Sequence, residues 1–390
     1  MNAPVHSGAD RRNTMRVGVI GGGQLARMMI PAAVELGVEI AVLAEADNVA
    51  ASLAATRVGD YRDPATVLAF AETVDVVTFD HEHVPQPILR ELVARGVSVH
   101  PGPDALLYAQ DKLMMRRRLT ELGVPVPEWA QVRSSDELAA FLAEHGGHAV
   151  VKTLRGGYDG KGVRVVRGAH QVDDWFAQLA EDGRDGSLLV EELVEFRREL
   201  AQLVARRPSG ESLLWPVVES VQRNGVCAEV IAPAPGSAGR VADAAADIAE
   251  TIAENLGVTG VLAVELFETI DDRILVNELA MRPHNSGHWT MDGSTTSQFE
   301  QHLRAVLDLP LGATGCRDPW TVMVNVLGGP SEGSLIDRYP RALAARPGVK
   351  VHNYGKQSRP GRKVAHVNAT GEELDLVAYE ARAVAAVLID

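Results

Sequence analysis

Lys152-Thr153-Leu154-Arg155-Gly156-Gly157-Tyr158-Asp159-Gly160-Lys161-Gly162-Val163 is the stretch that decides the fold. Lys152 closes an apolar run, HAVVK, and a second strand-like run, VRVV, begins at Val163. Four glycines between two strands give a pliable hairpin with exposed backbone N–H groups, and lysines stand at its base and tip. Backbone donors combined with ammonium groups suit a lid over a polyphosphate. A strand rather than a helix follows, so the loop is not a Walker A motif. Taken alone, the loop also fits a merely solvated hairpin.

Acidic residues downstream give the loop a context. Glu191-Glu192-Leu193-Val194 ends the run SLLVEE, and Glu199 follows eight residues after Glu191. A strand end beside a linker can offer backbone groups to an adenine edge, with a nearby carboxylate for ribose hydroxyls. Glu265 lies in VLAVELF, and Asn277-Glu278 in RILVNEL. If these two runs pair as a hairpin, both glutamates can face one side. Magnesium takes oxygen ligands and keeps water and phosphate oxygens in its shell, which suits two glutamates and a carboxamide. Arg282-Pro283-His284-Asn285-Ser286-Gly287-His288 comes next and is too polar for a core. Pro283 and Gly287 oppose the helix that would align the two histidines on zinc.

Upstream, RVGVI, EIAVL and VDVVTF alternate with helical stretches near Gln24–Leu36, Pro64–Glu72 and Pro85–Arg95, the pattern of a parallel sheet with helices on its faces. Gly21-Gly22-Gly23-Gln24-Leu25-Ala26 fits the dinucleotide fingerprint G-x-G-x-x-A, with Glu45 placed as a ribose-binding acid. An NAD-dependent oxidoreductase is therefore an open alternative at this point. So is a plain strand–helix turn, or a turn that binds some other phosphate. The middle of the chain reads as α+β and mostly antiparallel. Its runs lie at Glu199–Arg206, Leu213–Val221 and Val226–Ile231, with a helix at Ala238–Leu256. Beyond Pro310, WTVMVNVLG and VKVHNY look like strands and Glu372–Leu388 like a closing helix.

The 390 residues carry 38 Lys+Arg and 52 Asp+Glu, a formal net charge of −14. Such a surface argues against nucleic acid or an anionic membrane as partner. Arg346–Lys363 reverses the sign locally, with six basic residues and no acidic one. Lys356, Arg359, Arg362 and Lys363 sit there beside glycines that keep the loop turned, and could converge on a phosphomonoester. Two cysteines are too few for a disulfide framework, so a reducing, cytoplasmic setting is expected. No apolar run reaches membrane-spanning length, and Met1–Thr14 lacks an apolar signal core and reads as a disordered extension.

With these pieces in place, the chain resembles the ATP-grasp superfamily and, within it, the N5-carboxyaminoimidazole ribonucleotide synthetases. GGGQLARM (Gly21–Met28), GGYDGKG (Gly156–Gly162), NELAMRPHNSGH (Asn277–His288), TSQFEQHLRAVL (Thr296–Leu307) and YGKQSRPGRK (Tyr354–Lys363) carry the resemblance. They occur in the family order across nearly all of Arg16–Asp390. The resemblance implies an N-terminal Rossmann-like pre-ATP-grasp domain (15–110), an ATP-grasp domain (111–309, lid 153–162) and a small C-terminal α+β domain (310–390). It implies ATP as co-substrate with Mg²⁺, bicarbonate and 5-aminoimidazole ribonucleotide as substrates, and a homodimer.

The resemblance assigns residues to roles as well. Lys112, Lys152, Gly157, Tyr158, Asp159, Gly160, Lys161, Gly162, Val163, Glu191, Glu192, Leu193, Val194, Glu199, Asn277 and Glu278 match the ATP site. Glu265 and Glu278 match the metal ligands. Asp159, Lys161, Arg282, His284 and Asn285 match residues near bicarbonate and the amine. Gly22, Gly23, Gln24, Leu25, Asp80, Glu82, Lys356, Arg359, Arg362 and Lys363 match the ribonucleotide side. The chain departs from the family pattern at Gln222, Lys112, Asp80, Met281 and Val163, where His, Arg, Glu, Pro and Gln are usual. Lys112 and Asp80 keep their charge, so function is expected to survive. Another ATP-grasp ligase with a phosphorylated substrate is the nearest alternative.

Overall fold

The computed structural model describes residues 14–156, 162–181, 186–223 and 225–389. Near the N-terminus, β1 (Arg16–Ile20), β2 (Glu39–Ala44), β3 (Ala55–Val58), β4 (Val76–Phe79) and β5 (Ser98–Val99) form a parallel sheet in the order β3-β2-β1-β4-β5. The helix Gln24–Leu36 buries Leu25, Met29 and Ala33 against Val17, Val19 and Val42 on one face. Phe70, Leu89 and Leu92, from the helices Pro64–Ala71 and Gln86–Ala94, pack with Ile20, Leu43 and Phe79 on the other. β3 and β5 are additions to the sequence expectation. β3 is exposed at every position and β5 has two residues, so neither carries a hydrophobic period.

A small antiparallel sheet follows, built from β6 (Trp129–Val132), β7 (Ala149–Lys152), β8 (Val163–Val166) and β9 (Leu188–Glu192) in the order β6-β9-β7-β8. β7 and β8 form the expected hairpin: Lys152 lies opposite Val163, and the Thr153 N–H donates to the Gly162 carbonyl at 2.9 Å.

The largest sheet has nine strands: β10 (Phe196–Arg206), β11 (Ser212–Leu214), β12 (Val218–Arg223), β13 (Val226–Ala232), β14 (Gly260–Thr269), β15 (Ile274–Ala280), β16 (Trp320–Leu327), β17 (Lys350–Asn353) and β18 (Lys363–Gly371). Its order is β15-β14-β10-β12-β13-β16-β18-β17, with β11 against β10. Two sequence expectations change here. The run Leu213–Val221 is two strands, because Pro216 interrupts the ladder. The strands beyond Pro310 extend the central sheet through the β13–β16 pair rather than building one of their own, and β18 is a strand the sequence reading lacked.

Alternation along the central strands assigns the two faces. Leu200, Val204, Leu262, Val264, Leu266 and Val276 turn toward Val241, Ala245, Ile248 and Ile252 of the helix Arg240–Asn255. The intervening positions point the other way, and the acidic residues are among them. Among the described residues no helix is long and apolar enough to cross a membrane.

Candidate active site

β14 and β15 pair as an antiparallel hairpin in which Glu265 and Glu278 are direct cross-strand partners. Opposed residues share a face of the sheet, so both carboxylates project to the same side. The ladder shifts between Glu265 and Leu266, which pairs with Val276, leaving Asn277 as an extra residue in a bulge. The bulge adds a carboxamide beside Glu278 without moving that glutamate off the shared face. Glu199 lies on the same face, two residues along β10 from Ala201, the cross-strand neighbour of Glu265. Burial, with the Glu265 charge adding to it, pushes the Glu199 carboxyl up to about 7.

Cations from two other elements meet this edge. Lys112 and Arg116 stand one turn apart on the helix Lys112–Glu121, and so point the same way. The Lys112 ammonium pairs with Glu278. Lys152 at the end of β7 pairs with Glu191 Oε2 at 2.7 Å and donates to Asn277 Oδ1 at 3.2 Å. Arg116 Nε binds Glu191 Oε1 at 2.5 Å, and its Nη2 donates to the Asn277 carbonyl at 2.6 Å. Burial works to raise the Glu191 carboxyl, but Arg116 and Lys152 overcome it and hold the group down at about 2. For Lys152, burial comes first in pulling the ammonium below the usual lysine range, with the Arg116 charge alongside.

On the next flank, Arg282 Nε binds Glu82 Oε2 at 2.8 Å, joining the central sheet to the N-terminal one. The Ser286 N–H points at His284 Nδ1 at 3.4 Å and its hydroxyl lies at 2.9 Å, which leaves the proton on Nε2. That nitrogen faces Glu265 Oε1 at 3.1 Å. The Glu265 carboxyl is raised by burial, yet His284, Lys363 and Arg282 bring it below the usual range. Asn285 is 6% exposed, and among the described residues its carboxamide meets no nitrogen or oxygen partner within hydrogen-bond geometry, only the weakly bonding Cys227 thiol. A buried amide in that state is able to receive a small polar ligand. Lys356 Nζ reaches Gln24 Oε1 at 2.6 Å, bringing the C-terminal basic loop onto the first glycine turn.

Several sequence expectations need correction. Gly23 was expected beside a phosphate, but Asp80 already takes its N–H at the helix N-terminus. Its Oδ2 accepts from the Gly23 N–H at 2.7 Å and its Oδ1 from the Ala26 N–H at 2.9 Å. A Cβ on Gly23 would run into the Asp80 carboxylate, so this glycine makes room for the cap. Asp80 thus serves the helix with both oxygens. Leu25 is buried in the core and offers no side chain to a ligand. Glu45, the acid a dinucleotide site would use, pairs instead with Arg62 at 3.0 Å. Glu191 is 3% exposed and committed to two cations, so its side chain acts on Lys152 and not on a nucleotide.

Other positions are placed more simply. Glu192 Oε1 accepts from the Glu128 N–H at 3.0 Å, while Leu193 is exposed and Val194 half-buried beside it. Gly162 and Val163 stand at the foot of β8. Lys363 begins β18, Arg359 is exposed, and Arg362 donates to the Gln357 carbonyl at 3.3 Å. Gly157, Tyr158, Asp159, Gly160 and Lys161 lie outside the described residues. Arg116 was missed altogether. Its spacing of four from Lys112 on one helix was the available signal.

Glu265, Glu278 and the Asn277 carboxamide present oxygen donors on one face, the donor type magnesium takes. Among the described residues no group of three or more His, Cys, Asp or Glu side chains forms a metal cage. An ion held here would complete its shell from water and phosphate oxygens.

Three family models match the chain: a ribonucleotide synthetase preATP-grasp domain over 14–110, an ATP-grasp domain over 117–299, and a phosphoribosylaminoimidazole carboxylase C-terminal domain over 321–380. The N5-carboxyaminoimidazole ribonucleotide synthase of Mycobacterium tuberculosis H37Rv is 52% identical over 362 residues, covering 92% of this chain and 84% of its own. The enzyme of the same name from Corynebacterium ammoniagenes is 49% identical, covering 96% and 92%. Among solved structures, the N5-carboxyaminoimidazole synthase of Aspergillus clavatus, in complex with ADP and 5-aminoimidazole ribonucleotide, matches with a TM-score of 0.85 at 31% identity, covering 96% of this chain and 99% of that one.

Proposed function

The chain belongs to the N5-carboxyaminoimidazole ribonucleotide synthase family, and from that premise we infer that it carboxylates 5-aminoimidazole ribonucleotide with bicarbonate at the expense of ATP. The observation that carries the inference is the opposed pair Glu265 and Glu278, flanked by Lys112 and Lys152 on one side and by Arg282 and His284 on the other. One end of this row suits a nucleoside triphosphate and the other a small anion and an amine.

In the chemistry this supports, a bicarbonate oxygen attacks the γ-phosphorus and ADP leaves, giving carboxyphosphate. The exocyclic amine then bonds to the carboxyl carbon, the C–O bond to the phosphorus-bearing oxygen breaks, and phosphate leaves with the proton the amine gives up. Mg²⁺, held by Glu265 and Glu278 with Asn277 beside them, would neutralise phosphate charge. The chain's own part is to hold and orient. Lys112 and Lys152 are set to bind phosphate oxygens, with Lys152 kept in place by Glu191 and Asn277. Glu199 is set to accept from ribose hydroxyls, beside the segment Glu191–Val194. Arg282, His284 and Asn285 form the polar wall at which bicarbonate and the amine meet. Positioning and charge placement supply most of the rate. Carboxyphosphate must be kept from water, and the loop 153–162 is assigned that role by its sequence.

Labelled bicarbonate tests the assignment. Label should enter the ribonucleotide in step with phosphate release, and omission of any one of ATP, bicarbonate or ribonucleotide should stop both. Phosphate release that ignores the ribonucleotide would point to a different amine or acid.

A further inference from the structure

The segment Thr296–Leu307, one of the family-specific motifs, contains a residue for which the reaction gives no direct use. We propose that Gln298 is the positioning residue that sets His284 against the reacting groups. This rests on the reading of His284 as part of the bicarbonate and amine wall.

Gln298 opens the helix Gln298–Val306 and is fully buried. Its carboxamide makes three hydrogen bonds. Oε1 accepts from the His284 N–H at 2.8 Å, and Nε2 donates to the His284 carbonyl at 2.8 Å. Nε2 also lies 2.9 Å from His288 Nδ1. His284 is extended, with φ −124° and ψ 157°, so its N–H and C=O point to the same side. One primary amide can satisfy both, as a neighbouring strand would. The two backbone partners also fix which amide atom is oxygen and which nitrogen, because an N–H can only donate and a carbonyl can only accept. Nε2 must therefore donate to His288 Nδ1, which puts the His288 proton on Nε2.

The surroundings leave the clamp little play. The Thr290 hydroxyl accepts from the Gln298 N–H at 2.8 Å and donates to the Gly287 carbonyl at 2.6 Å, tying the motif to the same turn. A Cβ at Gly287 would collide with the Gln298 carboxamide and with Leu203. Gln298 thus holds the main chain on both sides of the His284 side chain, while Ser286 sets that ring's tautomer. A displacement of about 1 Å in such a group costs on the order of a hundredfold in rate.

The test is a double-mutant cycle on the full chain. Gln298→Glu keeps the shape and the acceptor for the His284 N–H but turns an acceptor toward the His284 carbonyl and His288. Gln298→Met keeps the bulk and removes all three bonds. Each is made alone and together with His284→Ala, and each is measured for bicarbonate kcat/KM, ATP KM and thermal unfolding. Either Gln298 variant should lower bicarbonate kcat/KM by about tenfold to a hundredfold while ATP KM stays within about twofold. In the His284→Ala background the same substitution should have no further effect. Losses that multiply, or an ATP KM that rises in parallel, would overturn the proposal, and so would failure of both variants to fold. A fully active His284→Ala would overturn instead the reading of the wall itself.

Discussion

Glu191 lies almost without solvent contact between the Arg116 guanidinium and the Lys152 ammonium. Its folded pKa, near 2 against an ordinary 4.5, makes it a source of stability that is complete above about pH 4.5 and lost as pH falls toward 2. The shift corresponds to about 3 kcal/mol, in line with the loss expected when one partner leaves a buried pair. Glu191→Gln should therefore unfold in urea with a deficit of about that size at pH 7, and the deficit should narrow as the buffer is taken below pH 4.5. A deficit independent of pH would show that the carboxylate charge is not the source. At this scale the sequence was legible for residue types and poor for roles. Glu191, Lys152 and Asn277 could be picked out, but whether a glutamate faces a ligand or a buried arginine depends on contacts across 75 residues of chain. Arg116, Gln298 and His302 stayed unseen because each works through long-range hydrogen bonds. His302 Nε2, for example, lies 2.8 Å from the Thr78 hydroxyl of the first sheet.

At the scale of the element, the β14–β15 hairpin sets the proposed metal-binding pair, Glu265 and Glu278, opposite each other. The sequence offered two apolar runs with an acid in each, and alternation made a shared face conceivable. Register and bulge were not readable, because nothing in RILVNEL marks Asn277 as the extra residue. Deleting Asn277 should restore a regular ladder and leave Glu278 opposite Glu265. It should also strip Lys152 of its carboxamide and Arg116 of its carbonyl. Hydrogen bonds to charged groups are worth about 1.5–3 kcal/mol, so ATP KM should rise by about tenfold or more while the protein still folds. An unchanged ATP KM would mean the bulge is incidental. β18 escaped the sequence reading for a related reason. Its second face carries His366 and Asn368, both fully buried, where a half-exposed strand pattern expects solvent.

The whole molecule brings both ends of the chain to one site. Glu82 meets Arg282, Thr78 meets His302, Gln24 meets Lys356, and Arg27 Nε donates to the Asn353 carbonyl at 3.0 Å. The alternation of elements indicated three regions, but no local pattern could reveal that β16, β17 and β18 continue the central sheet. The local reversal of charge at Lys356–Lys363 is what suggests a phosphorylated substrate, and the Lys356–Gln24 contact sets that loop against the first glycine turn. Lys356→Ala should accordingly raise the ribonucleotide KM by about tenfold, the scale of one lost charge-assisted contact, and leave ATP KM alone. An effect confined to ATP would place that loop elsewhere.

The most direct measurement is phosphate release by Glu265→Gln and Glu278→Gln, each compared with the parent chain at saturating ATP, Mg²⁺, bicarbonate and ribonucleotide. If the two opposed carboxylates share the cation of the bound triphosphate, each substitution alone should reduce turnover by at least about a hundredfold, with the fold intact by thermal unfolding. Turnover at the parent rate in either variant would contradict the assignment.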